Sequence, residues 1–239
     1  MTELKIADTP LLPVTLGLDR RVTLGPPTDA PGEQADRISL GRPAVVPLDI
    51  DTVDADGRVF LQGRPSSTFL LLALTCSFRA VEEEPIEQAW IEVQLRTLQP
   101  ADSEDPTAWS MEPLSLTSLV QLSEVTKLDA SLKLTSPVVP IEFGPAAGRE
   151  KTEVVMVSVP FVEAHREGTS RPAWIFSRTK IVEVRGAHRL RTVISLPAGA
   201  TARAEVSAGA TLRLKRLGLI PYKALLDQLP EHQVAQLKT

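Results

Sequence analysis

Ala202-Arg203-Ala204-Glu205-Val206-Ser207-Ala208-Gly209-Ala210-Thr211-Leu212-Arg213-Leu214 decides the fold. Apolar side chains occupy every second position from Ala202 to Leu214, and Arg203, Glu205, Ser207, Gly209, Thr211 and Arg213 fill the positions between. Alanine favours helix, but the preference is a few tenths of a kcal/mol per residue, and an unbroken period of two outweighs it. At about 3.3 Å per residue the run would reach roughly 43 Å, well beyond an ordinary strand of about five or six residues. Either Gly209 introduces a bulge that divides the run between two sheets, or the sheet is large.

The same period appears outward from this run. Ala89, Ile91, Val93 and Leu95 alternate with Trp90, Glu92, Gln94 and Arg96, and Leu128, Ala130, Leu132 and Leu134 alternate with charged or polar residues. The longest apolar run, Phe69 to Leu74 and on to Phe78, is too short to cross a bilayer as a helix, which needs about twenty residues, and reads as a buried strand. Glu82-Glu83-Glu84-Pro85 follows it as a solvated turn, which predicts an antiparallel hairpin with the strand from Ile86. Asp54-Ala55-Asp56-Gly57 between Val53 and Val59 predicts a second hairpin, because Asp-Gly suits a tight turn. Val154 to Val162 reads as a buried strand that Pro160 could end early. Trp174-Ile175-Phe176 opens another, Ile181 to Val184 continues it or forms the next, and Gly186 and Pro197-Ala198-Gly199 mark turns.

Three stretches read differently. Residues 99–113, with Pro100, Asp102, Glu104, Asp105, Pro106 and Pro113, read as an acidic loop. Leu114 to Leu122 fits neither period and is assigned a short helix. Tyr222 to Leu237, after Pro221, is a weakly amphipathic helix interrupted by Pro230. The expected fold is therefore mainly β, an antiparallel β-sandwich (one large or two small) with a proline-rich N-terminal arm and a short C-terminal helix. Its expected parts are a proline-rich arm or edge segment at 1–47, an acidic sheet region at 48–145, a basic one at 146–220, and the helical tail at 221–239.

The chain has 239 residues, of which one is cysteine and three are histidine, so neither an internal disulfide nor a Cys/His zinc cluster is expected. Asp49, Asp51, Asp54 and Asp56 lack the glycine and glutamate positions of an EF-hand loop. Cys76 lies in an apolar run, where cysteine behaves as a small hydrophobe, and His165 and His188 each precede an arginine. No phosphate loop, nucleophile elbow or zinc-protease motif occurs, and no cofactor is implied. The N-terminus has no basic segment before an apolar core, which gives a cytoplasmic expectation.

Charge carries more information. Residues 1–163 hold 25 acidic and 13 basic side chains, whereas residues 164–216 hold 11 basic and three acidic ones. Such polarity speaks of partners more than of fold. Arg171, Trp174, Phe176, Arg178, Arg185, Arg189 and Arg191 form the expected interaction patch, because aromatic and arginine side chains dominate interface energetics. The leading expectation is a non-catalytic protein acting through electrostatically asymmetric contact with a protein partner or a second copy, as an assembly or scaffold subunit. A membrane-active β protein binding anionic lipid is the alternative, on the strength of the runs at 202–214 and 128–134. A hydrolase without a recognisable motif comes third, and nucleic acid is disfavoured by the scarcity of aromatics among the basic residues.

Overall fold

The computed structural model describes residues 11–18, 33–49, 53, 55–81, 84–100, 104–122, 139–140, 155–216, 220–228 and 233–237. The expected alternation at 128–134, the prolines between 25 and 32, and Glu82 and Glu83 lie outside them, as does most of the proline cluster at 137–150.

The described chain is mainly antiparallel β, in two layers consistent with a sandwich. In order the strands are β1 (Leu11–Leu18), β2 (Glu33–Gly41), β3 (Ala44–Pro47), β4 (Ser67–Phe78), β5 (Ile86–Gln99), β6 (Thr107–Glu112) and β7 (Ser115–Leu122). There follow β8 (Val139–Pro140), β9 (Val155–His165), β10 (Ala173–Ser177), β11 (Gly186–Pro197), β12 (Thr201–Arg216), β13 (Ile220–Gln228) and β14 (Gln233–Leu237), with a single helix among the described residues, α1 (Ala55–Gln62). The ladder runs β6-β11-β4-β2-β1-β13-β12-β5-β10-β9-β7. One layer is built on β4 and β11, the other on β5, β10 and β12, and Phe78 of the first meets Phe176 of the second at 4.6 Å between ring centroids.

The alternating run behaves as its period predicts. Ala202, Ala204, Val206, Ala208, Ala210 and Leu212 are buried, while Arg203, Glu205, Ser207 and Thr211 face outward. Along one edge β12 pairs continuously with β5, from Thr201 opposite Gln99 to Leu212 opposite Ile86. Its other edge is shared: β14 covers Ala202 to Val206 and β13 covers Gly209 to Arg216. Of the two alternatives for so long a run, the large sheet is the one found: Gly209 pairs in register, and the register shifts fall at Thr201/Ala202 and Thr211/Leu212. Glycine is needed at 209 because Trp90 lies directly opposite on β5; a Cβ there would come 2.1 Å from the indole Cζ2.

Several expectations are corrected. The C-terminal helix is replaced by β13 and β14, because the long second edge of β12 needs hydrogen-bonding partners and a short isolated helix is marginal in water. Ser115–Leu122 is strand β7, at the edge of the sheet, where exposure on both faces imposes no period; opposite it β9 carries the extra residue Phe161 of a bulge beside Pro160. Proline has no N–H to give the ladder and is tolerated at such an irregularity, so Pro160 does not end β9. Thr107–Glu112 of the expected acidic loop is β6. Ile181 to Val184 forms no strand.

The two predicted hairpins also fail. β4 pairs with β11, β2 and β3, and β5 pairs with β12 and β10, so the Glu82–Pro85 connection crosses between layers. Glu84 on that crossover is held by the buried Arg37 of β2, whose Nη2 donates to the Glu84 carbonyl at 2.5 Å and to its carboxylate at 3.5 Å. Ala55 to Gly57 form the first turn of α1, which Phe60 anchors through ring contacts with Phe69 and Trp109 at 4.9 and 5.1 Å.

The Gly209–Trp90 contact gives a stability test. Gly209→Ala should cost about 1–3 kcal/mol, the usual range for overpacking, read as a lower urea midpoint with an unchanged slope. In a Trp90→Val background most of that loss should disappear.

Candidate interaction surfaces

The residues of the expected patch do not come together on one surface. Trp174 and Phe176 point into the core, at 0% and 2% exposure, and present no surface to a partner. Aromatics at i and i+2 share a face, but their spacing alone does not say which face meets the core. Arg171 lies beyond the start of β10, Arg178 and Arg185 sit on the strap between β10 and β11, and Arg189 and Arg191 project from β11 opposite Thr75 and Ala73 of β4.

Part of the charge split closes within the molecule. Glu92 of β5 takes hydrogen bonds from Arg166 at 2.5 Å and Arg171 at 2.6 Å. Arg178 holds Glu87 of β5 at 3.3 Å. In each pair a base from 164–216 meets an acid from the first 163 residues. Burial alone would raise the Glu92 carboxyl, but the hydrogen bonds from Arg166 and Arg171 outweigh it and hold the group below the usual carboxylate range.

Sequence reading missed a second cluster. In the pairing of β6 with β11, Ser110 lies opposite Val193 and Ala108 opposite Ile194, which leaves Trp109 as the extra residue of a bulge. Ala108 and Met111 remain buried, while the bulge turns Trp109 outward to 45% exposure. There it meets Phe60 of α1 and, at 6.3 Å, Phe69 of β4. The Arg64 guanidinium lies 4.2 Å from the Phe60 ring centroid and 4.5 Å from that of Trp109, within cation–π range. Val59, one residue before Phe60, is 71% exposed. Because Leu190, Thr192 and Ile194 are buried, Arg189 and Arg191 face outward, onto the side of the layer that carries this cluster. Further exposed apolar side chains are Leu116 and Leu119 on the edge strand β7 and Leu114 just before it.

A pocket of about 310 Å³ opens where the strap from Arg178 to Arg185 crosses between the layers. Phe161, Phe176, Ser177, Ile181, Val182, Glu183, Val184, Arg185 and His188 line it. His188 packs against Phe176 at 5.0 Å and Phe78 at 5.7 Å between ring centroids, and burial lowers its pKa despite a 3.2 Å hydrogen bond to the Arg185 carbonyl. Cys76, opposite His188 in the ladder, is buried, and desolvation pushes its thiol up to about 12. That fits the reading of Cys76 as a core residue and leaves no thiolate for nucleophilic chemistry at neutral pH. Among the described residues no three His, Cys, Asp or Glu side chains converge as a metal site.

No protein-family model matches the chain, and no curated protein matches it. Among solved structures it is similar to the NetB toxin of Clostridium perfringens in its membrane-inserted form, at 6% identity over 95% of this chain and 94% of that one, with a TM-score of 0.29. It is also similar to Clostridium perfringens delta-toxin (7% identity, 95% and 87% of the chains, TM-score 0.33) and to a structure described as a pore forming protein (6%, 72% and 79%, TM-score 0.28). Likeness at this level carries no information about function.

His188 and Glu92 predict two separate acid limbs of stability. His188 has a lowered folded pKa, so as pH falls through about 6.5 the unfolded chain takes up a proton that the folded chain refuses. Stability then declines until the folded pKa is passed. Glu92, a carboxyl held low, adds a second decline at more acidic pH, as protons reach it through its folded pKa. Urea midpoints measured across pH should show both limbs, and His188→Phe should flatten only the upper one.

Proposed function

We propose that the protein works without catalysis, by laying the outer face of the β4–β11–β6 layer against another protein. The observation that carries this reading is the bulge that turns Trp109 out of β6 beside Arg64 and Val59. Tryptophan and arginine carry a disproportionate share of binding energy at protein interfaces, where truncating one such anchor typically costs about 2 kcal/mol or more. Arg58 and Arg64, in and just after α1, suit this end of the face to an acidic partner, while on β11 Arg191 lies opposite Glu112 of β6. The acid-rich first 163 residues of a second copy are one such partner, so the contact keeps the asymmetric electrostatics expected from sequence while moving its centre from Trp174 to Trp109. A second reading, contact with an anionic bilayer, is favoured by the same exposed Trp109 and Val59 ringed by arginines, a composition suited to a membrane interface. It does not draw on the 202–214 run, whose apolar face is spent in the core.

Sedimentation velocity over a concentration series at low and high salt tests the first reading, and flotation with phosphatidylserine-containing and pure phosphatidylcholine vesicles tests the second. Self-association should weaken with salt and fall at least about tenfold in Trp109→Ala. Selective binding of a monomeric chain to anionic vesicles, lost in Trp109→Ala, would replace the first reading with the second. A chain that stays monomeric at low salt and binds neither vesicle would overturn both.

A further inference from the structure

The pocket under the 178–185 strap has a definite shape and a definite polarity. Its strap is internally tied: Thr179 N–H donates to the Val182 carbonyl at 2.9 Å, and the Val182 and Ile181 amides donate back to Thr179 Oγ1 at 2.9 and 3.4 Å. At one end the Arg178 amide is fixed to the Glu87 carbonyl at 2.8 Å, and near the other Val184 is buried. About 310 Å³ is at the small end of ligand pockets, room for one ring with short substituents. Phe161, Phe176 and the imidazole of His188 supply aromatic walls, and Ile181, Val182 and Val184 supply aliphatic ones.

Two features choose the ligand's polarity. The charged lining is balanced, because Glu183 and Arg185 lie 3.9 Å apart and Arg178, outside the lining, reaches Glu183 at 3.8 Å and also holds Glu87. One acid against one base asks for no charged ligand. Inside, the Arg185 carbonyl can only accept, so His188 Nε2 must be the donor of their 3.2 Å hydrogen bond. On the neutral ring Nδ1 is then an acceptor, and it calls for a ligand that donates.

We infer that this pocket binds a small neutral aromatic molecule carrying one hydroxyl, with its ring among Phe161, Phe176 and Ile181 and its hydroxyl hydrogen donated to His188 Nδ1. The site is independent of the Trp109 face. The ionisable groups around His188 are Glu183 and Arg185 of the lining, Arg178 beside Glu183, and Cys76 opposite it on β4. Of these the imidazole is the one that loses its acceptor when protonated, so binding should weaken in acid.

Methyl-labelled NMR of Ile181, Val182 and Val184, titrated with p-cresol, toluene and benzoate, tests the inference. p-Cresol should shift these methyls saturably and bind at least about threefold more tightly than toluene, and benzoate should leave them in place. In His188→Phe the two neutral probes should bind alike. In the native chain the preference for p-cresol should vanish as pH drops below the imidazole pKa, which tests the acceptor without a substitution. Absence of saturable shifts at these methyls, equal binding of p-cresol and toluene by the native chain, or tighter binding of benzoate would each overturn it.

Discussion

The structure depends on satisfying both edges of one sixteen-residue strand. Each non-proline residue of β12 brings a donor and an acceptor that must be paired once the strand is interior. β5 satisfies one edge along almost its whole length, and β13 and β14 divide the other between them. This division ties the C-terminal segments into the ladder and, through β13 and β1, joins the two layers. The apolar alternation of β12 then fixes which side faces the core, because a slip of one residue would turn Arg203, Glu205 and Arg213 inward.

Much of that was legible. The period at 202–214, at 86–96 and in the apolar stretch from Phe69 identified the three strands at the centre of the fold, and the inward faces of the first two were read residue by residue. The failures share a physical cause. Leu114 to Leu122 lacks a clear period because β7 is an edge strand whose described side chains are nearly all exposed, so burial imposes no alternation on them. Its partner, β9, lies more than thirty positions away in sequence. Tyr222 to Leu237 has weak helical patterning, and the demand that makes it strand comes from β12. Local sequence states a preference; the unpaired edge of a distant strand overrules it.

The candidate surfaces divide in the same way. The buried, unreactive character of Cys76 followed from its apolar neighbours. The surface expectation for Trp174 and Phe176 failed because Trp174-Ile175-Phe176 is apolar at every position, so its pattern does not say which side faces the core. Trp109 was hidden inside a stretch whose prolines and acids read as loop, and the clue available was Ala108 and Met111 flanking it at a spacing of three, one more than a regular strand allows. The net charges of the two halves were readable, but the salt bridges that draw Arg166, Arg171 and Arg178 onto β5 depend on which strands become neighbours.

The pairing of β4 with β11 has a consequence for how the chain comes into being. Phe69 to Phe78 is the most apolar segment in the sequence, and its principal partner is made more than a hundred residues later. A ribosome adding about 5–20 residues per second leaves that segment waiting for several seconds with one side of its backbone uncovered. Early release of the nascent chain would therefore expose a sticky strand of high β propensity, and a holding chaperone would be most valuable to this protein during that interval.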